Sequence, residues 1–214
     1  WSVISIYGTQ EFFQKLSRNI IISKSTEIVL VTDAELNKIS MLSSPQHVLA
    51  VAEMPRDEKE INYESGLKLV LDGISDPGNL GTLIRIADWF GIDEIICSQN
   101  TVDCFNPKVV QSSMGSLFRI SIHYRELSEV FTRNLSLGKM PVYGTVLDGK
   151  NLFDEDLSVN SFILVGNESA GISDDLLKYI SKSITIPSYS GTKADSLNVA
   201  VATGIVCAEF RRKK

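Results

Sequence analysis

Histidine and cysteine are scarce in this 214-residue chain, with 2 and 3 copies, and the shortage excludes some chemistry. Cys97, Cys104 and Cys207 have no metal-binding or redox spacing. With only His47 and His123 beside them, a zinc site is not expected. They read as buried reduced thiols, which suits a cytoplasmic protein. No apolar run is long enough to span a membrane, and the first residues are not a signal peptide. The chain begins at Trp1 rather than Met and is expected to lack its natural start. Both the Gly-x-Gly-x-x-Gly fingerprint and the P-loop Gly-Lys-Ser/Thr are missing, so neither of those nucleotide sites is supported. Basic surplus is missing too: 21 Lys and Arg against 26 Asp and Glu leave a net charge of −5. A nucleic-acid partner would have to be held by local clusters. The tail Arg211-Arg212-Lys213-Lys214 is one basic run, although cations favour helix C-termini in any case. Lys108, Arg119 and Arg125 are further cations that could share a face.

What is present can build a core, since 43% of residues are hydrophobic. Two segments are expected. In residues 1–60, Glu27 to Val31 and His47 to Ala52 read as strands, and Asp33 to Met41 reads as a helix capped by Asp33. The run Met54-Pro-Arg-Asp-Glu-Lys-Glu60 then breaks the apolar pattern like a linker. From about Gly66 to the end, short apolar or β-branched runs alternate with helical patterns. Leu67–Leu71, Glu94–Cys97, Val142–Thr145, Phe162–Val165 and Ser183–Ile186 predict a parallel sheet covered on both faces. A helix after the first of these has Asp76 as cap, Pro77 in its first turn, Leu80, Leu83, Ile84 and Ala87 as one stripe, and Gly91 at its end.

Three polar segments follow strands, where ligands of open α/β sheets bind. Leu71-Asp-Gly-Ile-Ser-Asp-Pro-Gly-Asn-Leu-Gly-Thr-Leu-Ile-Arg85 is a strand, a glycine-rich turn and a helix. It fits a phosphate cradle or a turn that needs Gly for its shape. The turn alone does not explain Asn79 and Arg85, the latter placed one turn into the helix. Phe162-Ile-Leu-Val-Gly-Asn-Glu-Ser-Ala-Gly-Ile172 runs a buried strand into Gly166, where a ligand can approach the backbone, and then into Asn167 and Glu168. Ile184 to Val199 reads as a long loop leading into a tightly packed helix that opens with Ser196 and Asn198. No Ser-His-Asp arrangement is present.

In order, these segments resemble the three signatures of the SpoU (TrmH-like) family of RNA ribose 2′-O-methyltransferases, in the SPOUT superfamily, from about Gly66 to Phe210. Residues 1–60 are similar to the small RNA-binding domain, akin to certain ribosomal proteins, that many members carry. That likeness rests on Ser44-Pro-Gln-His-Val-Leu-Ala50, and the domain is expected to lack its first strand and helix. The loop from Ile186 to Ser196, with Tyr189, Lys193 and Asp195, is longer than the Gly- and Ser-rich turn of many relatives.

The resemblance implies an α/β fold whose C-terminal chain forms a trefoil knot, a feature nearly forbidden on general grounds. It also implies a homodimer and S-adenosylmethionine as methyl donor. By position, Gly166, Ile186 and Leu197 are expected to contact the cofactor through the main chain, with Thr145 beside it. Asn79, Arg85, Glu168, Ser196 and Asn198 match catalytic and RNA-facing positions. A sulfonium is a good leaving group and needs no metal; the ribose hydroxyl is the poor partner until its proton leaves. Arg85, effectively always protonated, suits a clamp on the adjacent phosphate. The base is then a substrate phosphate, water or a transiently neutral Arg85. Ser196 and Asn198 suit orientation of the hydroxyl and the cofactor, and Asn79 and Glu168 the bracing of loops. The implied substrate is large-subunit ribosomal RNA, with tRNA the alternative. A catalytically silent RNA-binding module on the same fold is the rival reading, and a nucleotide-binding regulator the third.

Overall fold

Strands buried on both faces need apolar residues at successive positions, and Phe162–Val165 is such a run, buried throughout. The computed structural model describes residues 1–16, 22–42, 44–54, 60–138, 140–189 and 195–212. The chain divides into two units, 1–58 and 59–214. The expected linker over residues 55–59 lies outside the described residues.

The first unit holds β1 (Ser2–Gly8), α1 (Gln10–Lys15), β2 (Glu27–Leu30), α2 (Asp33–Ile39) and β3 (Val48–Glu53). Its sheet order is β2-β1-β3, with β2 parallel and β3 antiparallel to β1. α2 starts one residue earlier than expected. Thr32, not Asp33, is its cap, because Thr32 and Glu35 form a reciprocal capping box.

The second unit is a six-stranded sheet of order β6-β5-β4-β8-β7-β9, and every pairing in it is parallel. Its elements are β4 (Leu67–Leu71), α3 (Pro77–Trp89), β5 (Glu94–Cys97), α4 (Pro107–Ser112), β6 (Ser121–Tyr124), α5 (Leu127–Ser136), β7 (Val142–Asn151), β8 (Ser161–Val165), α6 (Asp174–Leu177), β9 (Lys182–Thr185) and α7 (Val199–Arg212). Alternation along the strands sorts the core into two faces. Leu69, Leu71, Ile163 and Val165 face Leu80, Leu83, Ala200 and Phe210 of α3 and α7. Val70, Phe162 and Leu164 face Leu127, Val130 and Phe131 of α5. Helices therefore cover both faces, the expected α/β architecture.

β7 runs past its expected end at Thr145. Thr145 and Lys150 both pair with Ile184, so residues 146–149 bulge out between them. Asp76 caps α3 by accepting the Asn79 N–H, and Pro77 fills its first turn. Gly91, at φ 62°, follows its end. Arg211 closes that end, its guanidinium donating to the carbonyls of Phe90 and Gly91 at 2.8 Å each. Both described residues of the basic tail are thus engaged by the protein, since Arg212 pairs with Glu209; Lys213 and Lys214 lie outside the described residues. The three cysteines are free and buried. Among the described residues no helix is long and apolar enough to cross a membrane.

Candidate functional site

The C-terminal ends of β4, β8 and β7 lie side by side, and the loops leaving them form one rim. Asn79, in the first turn of α3, donates from Nδ2 to Glu168 Oε1 at 2.9 Å. Its Oδ1 accepts from Asn198 Nδ2 at 3.0 Å. Residues separated by 89 and 119 positions are thereby joined in one polar chain. Asn198 also caps α7, its Oδ1 accepting the N–H groups of Ala200 and Val201 at 3.0 and 3.2 Å. Both ends of its amide are engaged by the protein. α7 opens at Val199, so Ser196 stands outside the helix it was expected to open. Ser196 is exposed and makes no hydrogen bond among the described residues.

Among the described residues Glu168 is held by neutral donors only. Besides Asn79, the hydroxyl of Ser75 and Nδ2 of Asn167 each approach Oε2 at 3.4 Å. Asn167 ties the rim together: its Nδ2 donates to the Gly73 carbonyl at 2.6 Å, and its Oδ1 accepts from Ser169 N and Ala170 N. The sequence reading named neither Ser75 nor Asn167 as a site residue. An Asn directly after a strand and before small residues is the signal for such an Asx turn. Gly166 is glycine for a reason other than the expected one. A Cβ there would lie 2.2 Å from the Gly171 carbonyl carbon, so its own returning loop, rather than a ligand, fills the space.

Arg85 lies in the same helix as Asn79 but further from its start than expected. With α3 beginning at Pro77, Arg85 is more than two turns in, about 9 Å along the axis from Asn79. Its side chain is exposed and has no hydrogen bond or ion pair among the described residues. Thr145 donates to the Leu164 carbonyl at 3.1 Å, bridging β7 and β8. The pairing of Gly144 with Leu164 and of Thr145 with Ile184 puts Thr145, Gly166 and Ile186 at the same end of three adjacent strands. Among the described residues the main-chain groups of Ile186 and Leu197 take no hydrogen bond. Open main-chain donors and acceptors beside a half-buried rim fit a flat heterocycle with ring nitrogens such as adenine. Of the long loop, Tyr189 and Asp195 are exposed and Lys193 lies outside the described residues. Among those described, no group of three or more His, Cys, Asp or Glu is gathered.

The family model of the SpoU rRNA methylase family matches residues 66–208, which include every residue of this rim. The 23S rRNA (guanosine(2553)-2′-O)-methyltransferase RlmP of Bacillus subtilis is 34% identical over 183 residues, 85% of this chain and 71% of the relative. A TrmH-family structure from Porphyromonas gingivalis superposes with a TM-score of 0.88 at 34% identity, covering 100% of this chain and 84% of the other. The SpoU methyltransferase AviRb of Streptomyces viridochromogenes, solved in complex with AdoMet, superposes at 0.82 and 27% identity, covering 100% and 83%.

Proposed function

The chain belongs to the SpoU rRNA methylase family, and we propose that it transfers a methyl group from S-adenosylmethionine to a ribose 2′-hydroxyl of large-subunit ribosomal RNA. The observation that carries this reading is the Glu168–Asn79–Asn198 chain, which joins the three family signatures at one end of the sheet. S-adenosylmethionine supplies the electrophilic methyl on a sulfonium. The main chain at Gly166, Ile186 and Leu197, with Thr145 beside it, binds and orients the cofactor. The amide chain fixes the loops in register, so Asn79, Glu168 and Asn198 position rather than react. Among the described residues, Arg85 and Ser196 are polar side chains left open to the RNA. Arg85 keeps its charge, holds a phosphate and offsets negative charge developing on the ribose oxygen.

Two finer features belong to the same reading. The first is the trefoil knot. β9 lies beyond β7 at the sheet edge, yet the chain returns to set Asn198 against Asn79. Such a return across the ends of β7 and β8 supports a threaded C-terminal segment. The second is the homodimer. Leu197 and Val201 are 49% and 53% exposed, and Trp89, one turn beyond Arg85, is 84% exposed. The face of α7 that carries Val201 and Ala208 is not the one packed on its own sheet, and a second copy would cover it together with Leu197 just before the helix.

Residues 1–60 then select the RNA while 66–214 carry the chemistry. The test is transfer of labelled methyl from S-adenosylmethionine to a 23S rRNA transcript, followed by mapping of the methylated ribose. Label appearing on a base, or on tRNA in preference, would overturn the proposed substrate. Cofactor binding without transfer to any RNA would favour a silent binding module.

A further inference from the structure

In an acidic chain, cations that hold RNA must be those not already neutralised by the protein. Most described Lys and Arg side chains of the second unit are committed. Lys68 pairs with Glu94, Arg119 with Asp88, Arg133 with Glu60, Lys150 and Lys182 with Glu155, and Arg212 with Glu209. Arg125 and Arg211 donate to backbone carbonyls, and Lys178 lies over the ring of Tyr179. Two remain without a hydrogen bond, ion pair or ring contact among the described residues: Arg85 and Lys108. Both stand on or against α3, the helix that presents Asn79.

The packing of α4 on α3 brings Lys108 there. α4 approaches the first turns of α3 where α3 has no side chains. A Cβ on Gly81 would meet Ser112 Oγ at 1.9 Å, and one on Gly78 would meet Lys108 Cε at 4.0 Å. Ser112 Oγ also lies 3.3 Å from the Pro77 carbonyl. Lys108 and Ser112, four residues apart on α4, thus face α3 together. The exposed Lys108 side chain stands beside Gly78, next to Asn79, whose N–H donates to the capping Asp76 carboxylate at 2.8 Å. A lysine in no ion pair among the described residues keeps its point charge available to an RNA phosphate.

We propose that Lys108 is a second phosphate-binding residue for the substrate strand, at the start of α3, separate from the phosphate held by Arg85. The two cations are about 10 Å apart along the axis of α3, so they serve different phosphates. This inference rests on the RNA methyltransferase reading above.

The experiment uses the whole chain with S-adenosylmethionine and a 23S rRNA transcript, comparing wild type, Lys108→Ala and Lys108→Arg. For Lys108→Ala we expect a several-fold rise in KM for the RNA with kcat retained. The slope of log affinity against log salt falls by about 1. Lys108→Arg restores both, and cofactor affinity and Tm stay at wild-type values in both variants. Unchanged KM and salt slope in Lys108→Ala would overturn the proposal, as would a loss of kcat alone. If the wild type binds S-adenosylmethionine but methylates no RNA, the underlying reading fails first, and this inference with it.

Discussion

The two ends of the parallel sheet are both polar, and they are polar in opposite ways. At the N-terminal end, Lys68 and Glu94 sit opposite each other on β4 and β5, joined at 2.7 Å with side chains only 6% and 13% exposed. The Lys68 ammonium also donates to the Ser65 carbonyl, and His123 of β6 lies 3.8 Å from Glu94. At the C-terminal end the polar groups of the rim are neutral amides and a carboxylate at the surface, linked to one another and open to solvent, while Asp72, buried at the end of β4, accepts the Ser173 N–H at 2.7 Å. Buried charge at one end serves the fold, because an ion in the interior is tolerable only when paired. Exposed amides at the other end cost little and leave a rim that a ligand can enter. The comparison teaches that polarity in a strand-end cluster does not mark function by itself; exposure and incomplete pairing do.

The largest expected effect breaks the buried end. Lys68→Met leaves the Glu94 carboxylate without its cation and should lower the unfolding free energy by about 3 kcal/mol or more. Urea unfolding measures it. Cofactor affinity of the folded fraction should not change, since the pair is at the far end of the strands. A stability loss of under about 1 kcal/mol would mean the pair behaves as if it were on the surface, and the contrast between the ends would collapse. Next is Arg85→Ala at the open end. It should reduce turnover about a hundredfold, the scale for removing one donor to developing charge, with Tm and cofactor affinity intact. Near-normal turnover would take Arg85 out of the mechanism.

Sequence reading was strongest where structure is local. The limits of β4 and β5 are legible because strands buried on both faces need mostly apolar runs, here interrupted by the paired Lys68 and Glu94, and Asp76, Pro77 and Gly91 punctuate α3 by backbone chemistry alone. β6 escaped notice because the buried His123, 3.8 Å from Glu94 on a neighbouring strand, interrupts a short run. Thr32 displaced Asp33 as a cap because the decisive partner, Glu35, lies three residues on. The extension of β7 depends on its pairing with β9, which no local pattern encodes. At the site, the motifs were legible as residues, but the contact of Asn79 with Glu168 and Asn198 is a product of strand order. The tie from Asn167 to Gly73 is another.

A smaller effect sharpens the comparison, because Asn198 belongs to both roles. As the cap of α7 it supports the fold; through Asn79 it supports the rim. Asn198→Ala should cost about 1 kcal/mol of stability and also reduce turnover. Asn198→Asp separates the roles, since a carboxylate still caps a helix but cannot donate to Asn79 Oδ1. It should keep the wild-type Tm and lose turnover. Equal activity in Asn198→Asp and wild type would show that the link to Asn79 has no part in the reaction.

The smallest expected effect concerns Arg119, which is exposed like Lys108 but committed. Its guanidinium donates to Asp88, and Ser116 donates to the same carboxylate at 2.7 Å. The Arg119 hydrogen bond first, then that of Ser116, holds the Asp88 carboxyl below the usual carboxylate range. A depressed folded value stabilises the protein above the unfolded value, near pH 4, and that contribution is lost as pH falls through the folded one. Arg119→Ala should therefore lower Tm slightly at neutral pH, and the gap from wild type should close below about pH 4. Thermal melts across that range measure it. Because Asp88 already neutralises Arg119, its removal should cost less RNA affinity than Lys108→Ala. An equal or larger loss of affinity in Arg119→Ala would show that an ion pair on this surface does not withhold its cation from RNA, and that pairing fails to distinguish the residues that bind substrate from those that hold the fold.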